Sequence, residues 1–114
     1  MKKFKLVALL SLCFLTFGCK KTELTGDYAG YVGDWTSDYA TLSLKSAGIG
    51  TYDYSKEGVT KNVKNGRVII EGNKLSLKVA FISTNFTINE APKASTDYPG
   101  KMEMILDGET FIRD

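Results

Sequence analysis

The fold class of this 114-residue chain is decided by residues 74–81, Lys-Leu-Ser-Leu-Lys-Val-Ala-Phe. Apolar residues occupy every second position of this stretch, and successive side chains of a β-strand point to opposite faces of a sheet. An amphipathic helix would instead carry apolar residues three or four positions apart. The pattern therefore predicts a strand that buries Leu75, Leu77, Val79 and Phe81 in a core.

The same alternation recurs along the chain, with turn residues between the segments. Ala40, Leu42 and Leu44 alternate with polar residues, and residues 49–54 return as a second strand after a turn at 46–48. Lys64-Asn65-Gly66 is predicted to be a hairpin turn, because Asn-Gly suits the two positive φ angles of a type I′ turn. Residues 91–100 are predicted to form a loop bounded by proline. Further strands are predicted at residues 28–32, 60–63, 67–71, 86–88, 102–106 and 110–113.

Together these segments predict an all-β fold. About eight short strands joined by tight turns are typical of a small antiparallel barrel or sandwich. Met102, Met104 and Leu106 join the apolar residues expected in its core. Closure into a barrel would remove the exposed edges that a free sheet has to protect.

The first nineteen residues have three parts. Lys2, Lys3 and Lys5 form a cationic start, residues 6–17 an apolar run, and Gly18 is the small residue that a signal peptidase needs before the cleaved bond. This pattern, followed by Cys19, resembles the signal peptide of a bacterial lipoprotein. The resemblance implies that Cys19 receives a diacylglycerol thioether, becomes the first residue after cleavage and is then N-acylated.

The resemblance divides the chain into a signal peptide at residues 1–18, an acylated Cys19 with a short tether to residue 24, and a single β domain at residues 25–114. Lys20 follows the cysteine where aspartate would favour retention in the inner membrane, so the outer membrane is predicted. An ordinary secretory signal cut near Gly18 is the alternative, with Cys19 left as a free thiol. Cys13 is interpreted as part of the apolar run.

Composition limits the chemistry of the mature chain. Three of the fifteen Lys and Arg residues lie in the signal peptide, so twelve remain against thirteen Asp and Glu, and this near-neutral balance does not indicate nucleic-acid binding. The chain has no His, which is the commonest general base and metal ligand. No serine lies in a nucleophile motif. We therefore expect a protein that is not an enzyme and that holds no metal or cofactor.

Three short motifs resemble the signature of the lipocalins: Gly33-Asp34-Trp35, Thr96-Asp97-Tyr98 and Arg113 near the end of the chain. Lipocalins have a Gly-x-Trp, a Thr-Asp-Tyr-like segment and a C-terminal Arg that closes over the Trp. The resemblance implies a reduced barrel that carries an apolar ligand. The alternative for Trp35 is a ring that caps the core beside a turn.

Aromatic residues supply the candidate binding surface, since Tyr and Trp give large contact area at small entropic cost. Packing within the sheet is the alternative, because strands are enriched in Tyr for that reason alone. Asp27, Asp34 and Asp38 are interpreted as turn residues, since their spacing fits no calcium-binding loop. The candidates are Tyr28, Tyr31, Trp35, Tyr39, Tyr52 and Tyr54, of which the last two share one face of a predicted strand.

These observations predict a cell-envelope protein that is attached to the membrane through the lipid on Cys19. Its β domain is expected to bind a protein or glycan partner that the sequence does not identify. A small carrier of an apolar ligand and an inhibitor of an envelope enzyme are the alternatives.

Overall fold

The computed structural model describes residues 21–113, which form a closed antiparallel barrel of eight strands after a short 3₁₀ helix. The predicted all-β class is confirmed, and the architecture is the barrel rather than the sandwich. The predicted signal peptide, Cys19 and Lys20 lie outside the described residues. The elements are the 3₁₀ helix Gly26–Tyr31 and the strands β1 Gly33–Thr36, β2 Ala40–Lys45, β3 Ile49–Lys56, β4 Val59–Glu71, β5 Lys74–Val79, β6 Ile82–Ala94, β7 Met102–Leu106 and β8 Glu109–Arg113.

Each strand pairs with the next along the chain, and β8 returns to β1. The strands are staggered: β6 pairs with β5 through residues 82–87 and with β7 through residues 88–94. At the seam between β1 and β8 the register comprises a single pair, Thr36 with Ile112. Staggered strands of this kind tilt against the barrel axis, which allows eight of them to enclose a core.

Apolar side chains fill the interior of the barrel. Leu75 and Leu77 on β5 and Met104 and Leu106 on β7 are at most 1% exposed, so the predictions for these four residues are confirmed. Burying a side chain of this size stabilises a fold by about 1.5–3 kcal/mol. The other core residues with exposures of at most 2% are Leu24, Trp35, Leu42, Leu44, Val68 and Phe111.

The alternation in residues 74–81 ends earlier than predicted. Strand β5 stops at Val79, and Ala80 has a φ of +53°, so the chain reverses there without a glycine. Val79 is 41% exposed and Phe81 is 99% exposed. Their predicted place in the core is wrong, because the turn carries them past the edge of the barrel.

Asn65-Gly66 does not form a hairpin turn. Strand β4 runs through it for 13 residues, and the register against β3 shifts at this point, between Gly50 and Tyr52. Asn65 has a φ of +53° and its N–H donates to the Thr51 hydroxyl at 3.1 Å. Asn-Gly therefore accommodates a β-bulge, which also needs positive φ, while Glu57 and Gly58 make the turn with φ angles of +51° and +80°.

Two further boundaries differ from the prediction. Residues 28–32 were expected as a strand, but the 3₁₀ helix occupies most of them and β1 starts at Gly33. Strand β6 continues to Ala94 through the predicted loop. Pro92 is tolerated there because the register with β7 shifts between Glu90 and Lys93, and a bulge does not need the missing N–H.

The segment before the 3₁₀ helix packs on the barrel. Thr22 N donates to Val68 O at 2.7 Å, and Ile70 N donates to the Thr22 hydroxyl at 2.9 Å. Leu24 is 1% exposed. Thr22 and Leu24, in the segment that the sequence predicts as a tether, therefore pack against the barrel. Among residues 21–113, no helix has the length and apolar character required to cross a membrane.

Candidate functional site

Trp35 is the centre of the packing at the start of β1. Its indole N–H donates to Tyr31 O at 2.9 Å, and the side chain is fully buried. The Arg113 guanidinium lies 5.0 Å from the centre of the Trp35 ring. Arg113 Nη1 also donates to Gly30 O at 2.9 Å and to Val32 O, so it ties β8 to the end of the 3₁₀ helix. This arrangement is structural and leaves no face of Trp35 for a ligand.

Three of the six candidate aromatic residues belong to the core. Tyr31 and Tyr52 are each 6% exposed and Trp35 is 0% exposed, so their predicted place on a binding surface is wrong. These residues point into the barrel, where aromatic rings contribute large buried area. Burial, with a smaller contribution from Tyr28, raises the pKa of Tyr31 above its usual value.

The remaining three aromatic candidates lie in two places. Tyr28 is 37% exposed on the 3₁₀ helix, with its ring centre 6.4 Å from that of Tyr31. Tyr39 in the β1–β2 turn and Tyr54 on β3 both line one open groove on the barrel. Tyr54 also stacks on Tyr52 at 6.3 Å, and Tyr52 meets Phe86 edge-on at 4.9 Å. The structure thus brings together Tyr39 and Tyr54 and leaves Tyr28 apart.

The groove has a volume of about 910 Å³ and is open to solvent. Thr36, Thr110 and Ile112 form its floor on the outer side of the β1–β8 seam. Three connections and the end of one strand surround this floor: the β1–β2 and β7–β8 turns, the β6–β7 loop, and Lys56 at the end of β3. The loop contributes Tyr98, which is 54% exposed. The sequence did not indicate Tyr98 as a binding residue. Tyr98 is far from Tyr39 along the chain, and only the fold brings the two residues to the same groove.

Carboxylates outnumber cations along the groove. Glu109 accepts a hydrogen bond from the Ser37 hydroxyl, and Asp34 accepts one from Ser43 at 2.7 Å. Asp34 lies in β1 and not in a turn, contrary to the sequence interpretation. Lys56 and Lys101 are the cations of the lining. The carboxylates are Asp34, Asp38, Asp97, Asp107 and Glu109.

In this region, lysine ammonium groups of the same chain lie over tyrosine rings and make cation–π contacts. Lys56 Nζ lies 4.4 Å from the centre of the Tyr39 ring, and Lys61 Nζ lies 5.9 Å from that of Tyr54. Such contacts are worth about 0.5–1 kcal/mol at exposed sites. Burial raises the pKa of Tyr52 to about 12, with smaller contributions from Glu109, Tyr54 and Asp107.

The groove offers hydrogen bonds, carboxylate charge and tyrosine rings to a bound molecule. Within residues 21–113, no group of three or more His, Cys, Asp or Glu side chains is arranged to hold a metal ion. Comparison of the chain with protein-family models, with characterised proteins and with solved structures finds no match.

Proposed function

We propose that the protein is a lipid-anchored cell-envelope lipoprotein whose non-catalytic β-barrel binds a protein or glycan partner. The groove over the β1–β8 seam carries this proposal, because it combines exposed tyrosines with polar groups on a barrel whose interior is filled. Tyrosine rings and carboxylates suit sugar hydroxyls and the polar side chains of proteins equally well.

The groove is tested by placing the photoreactive residue p-benzoylphenylalanine at Tyr39 or Tyr98 in living cells. We expect a discrete crosslinked product at both positions, because the two side chains line the same groove. The same substitution at Tyr28 is the matched control, since Tyr28 is similarly exposed but does not line the groove. Equal crosslinking at Tyr28 and Tyr39 would contradict specific binding there.

A glycan partner is tested separately from a protein partner. Peptidoglycan fragments and surface polysaccharide are titrated against the protein, with Tyr39→Ala and Tyr98→Ala as groove variants and Tyr28→Ala as the control. We expect saturable binding that both groove variants weaken about tenfold, in line with the loss of one aromatic contact. Binding that no groove variant changes would place the glycan elsewhere.

The proposed lipid anchor on Cys19 is supported by the sequence that precedes it: a cationic start, an apolar run and the small residue Gly18. Replacing Cys19 by Ser removes the thiol that would be acylated. We expect this variant to lose labelling by a fatty-acid analogue and to leave the detergent-extracted membrane fraction. Cys13→Ser is the matched control and should behave as the wild type. Unchanged labelling of Cys19→Ser would refute acylation at this residue.

Outer-membrane localisation is proposed from Lys20, which replaces the aspartate associated with retention in the inner membrane. Density-gradient fractionation of a host with two membranes should place the wild type with outer-membrane markers. Lys20→Asp should shift it towards the inner-membrane fractions. A wild-type protein that sediments with inner-membrane markers contradicts the proposal.

A lipocalin-like carrier is the second candidate, and the position of Arg113 over Trp35 favours it. A carrier needs an internal apolar cavity of at least about 300 Å³, whereas Leu42, Leu77, Met104 and Phe111 fill this interior. A fluorescent fatty acid distinguishes the two candidates: saturable binding that unlabelled fatty acid displaces would favour the carrier. An inhibitor of an envelope enzyme stays an alternative form of protein binding in the groove.

A further inference from the structure

The β5–β6 turn exposes a group of apolar side chains at its tip. Val79, Phe81 and Ile82 are 41%, 99% and 72% exposed, and Val79 and Ile82 face each other in the register. We call residues 79–82 the apolar tip. A soluble surface gains nothing from a fully exposed Phe, and exposed apolar groups beside charged ones mark sites of interaction.

A row of outward-facing residues leads from the apolar tip across the barrel. Lys78 is paired with Arg67, Arg67 with Ile49, and Ile49 with Lys45. They face outward because their neighbours Leu44, Val68 and Leu77 point into the core, and neighbouring residues of a strand face opposite sides.

The only acidic residue paired along the adjoining rows of β4 and β5 is Glu71, whose register partner is Lys74. The charges of that pair offset one another. We call the surface formed by Lys45, Arg67 and Lys78 the basic face. Its net charge is positive, whereas carboxylates outnumber cations along the groove.

The described chain begins at the same face. Lys21 lies against the β2–β3 turn, where a Cβ added to Gly48 would be 2.9 Å from Lys21 Cγ. Gly48 immediately precedes Ile49 of the row. Cys19 is two residues before Lys21, and two residues span at most about 7 Å. A lipid on Cys19 would therefore be held close to the basic face.

We propose that the basic face and the apolar tip bind the surface of an anionic phospholipid membrane. The ammonium and guanidinium groups contact the lipid phosphates, while Phe81 and Ile82 insert among the upper acyl carbons. A second copy of the chain fits this surface less well, because two basic faces brought together would repel one another. This inference extends the proposed lipid anchor by stating which side of the barrel the membrane contacts.

The position of the groove agrees with this orientation. The basic face is built on β2 to β5, and the apolar tip joins β5 to β6. The groove lies over the seam between β8 and β1, across the closed barrel from β4 and β5. A barrel that rests on its basic face therefore presents the groove away from the lipid, towards a partner.

Vesicle binding tests the membrane contact without the acyl chain. A chain of residues 20–114 is suitable because it contains every residue of the barrel described above. We expect it to float with vesicles of equal parts phosphatidylcholine and phosphatidylglycerol, and not with phosphatidylcholine alone. Raising the salt concentration should weaken this binding, since exposed charges are screened.

Variants of the two parts of the surface sharpen the test. Phe81→Ser should lower the partition coefficient about tenfold, because the inserted ring is lost. Lys78→Glu should lower it by at least about fivefold, the contribution of one charge at an anionic surface. Val59→Ser and Lys61→Glu are the matched controls. Val59 is an exposed apolar residue at the start of β4, beside the β3–β4 turn, and Lys61 is a lysine near Tyr54. Neither control should change the partition coefficient.

The outcomes separate this inference from the proposed function. Equal binding of wild type, Phe81→Ser and Lys78→Glu to anionic vesicles, or no binding by any of them, overturns the membrane contact. A change of oligomeric state in Phe81→Ser without a change in vesicle binding overturns it in favour of a second copy. Neither result affects acylation of Cys19 or crosslinking from Tyr39, which are measured independently.

Discussion

At the scale of single residues, the contact between Gly33 and Arg113 closes the barrel beside Trp35. Gly33 has a φ of +137°, and a Cβ there would be 2.4 Å from Arg113 Cδ. A side chain would therefore both strain the backbone and displace the arginine that covers the indole ring. Glycine at this position allows the last strand to pack against the first.

Gly33→Ala is expected to lower the free energy of unfolding by about 1–3 kcal/mol, the cost of one strained backbone position. Chemical denaturation measures this change. Gly30→Ala is the matched control, because a Cβ at Gly30 meets only Pro92 Cβ at an ordinary 3.6 Å. Equal stability of the two variants would show that Arg113 rearranges without cost.

Tyr52 makes the stability of the barrel sensitive to alkaline pH. Its pKa rises from 10.0 to about 12 on folding, mainly because the phenol is buried. Between these values the unfolded chain loses the Tyr52 proton while the folded chain keeps it. Stability is therefore fully present below pH 10 and falls as the pH rises towards 12.

Tyr52→Phe should reduce this alkaline loss by about 1–2 kcal/mol, after a discount for solvent screening. Urea denaturation at a series of pH values measures it. Tyr98→Phe removes a phenol from the surface and serves as the control. An alkaline loss in Tyr52→Phe as large as in the wild type contradicts the role of this residue.

At the scale of elements, strand β5 shows how burial changes along one alternating segment. Leu75 and Leu77 are fully buried, but Val79 on the same face of the strand is 41% exposed. Side chains alternate between the two faces up to the end of the strand. The core, however, covers the inward face only as far as Leu77. Neighbouring elements therefore decide what each apolar residue contributes.

Leu77→Ala is expected to destabilise the protein by about 2–5 kcal/mol, because it leaves a cavity in a packed interior. Val79→Ala should cost less than about 1 kcal/mol, as surface changes do. Thermal unfolding of both variants makes the comparison within one strand. Similar losses for the two would mean that another surface covers Val79 in solution.

At the scale of the whole molecule, closure of the barrel depends on a short seam. Strands β1 and β8 are in register at Thr36 and Ile112 alone, while Arg113 adds the hydrogen bonds to Gly30 and Val32. The groove lies on this seam, so the same region closes the barrel and carries the proposed binding surface.

Cysteines at positions 36 and 112 test the seam in the chain of residues 20–114, which has no other thiol. Directly opposed residues of an antiparallel pair are close enough for a disulfide. Oxidation should stabilise the double variant by about 4 kcal/mol, because the bond closes a long loop in the unfolded chain. The reduced variant is the control, and failure to form the bond would indicate an open seam.

The candidate site could be predicted only in part. Tyr39 and Tyr54 were among the residues selected from the sequence, and they do line the groove. Three other candidates were selected for the same reason, their aromatic side chains, but they are buried in the core: Tyr31, Trp35 and Tyr52. Tyrosine suits both a core and a surface, so residue type alone does not separate the two. Tyr98 and Glu109 enter the groove only because distant segments meet at the seam.

The sequence by itself determined the all-β class, the inward set Leu42, Leu44, Leu75 and Leu77, and the turn at residues 46–48. These features depend on neighbouring residues, since alternation and turn angles are local properties of the chain. Only the tertiary structure decided that Asn65-Gly66 is a bulge, that Leu24 joins the core and that β8 closes on β1. Each of these requires pairing between residues far apart in the sequence, and the register of such pairing is set by the packing of the whole barrel.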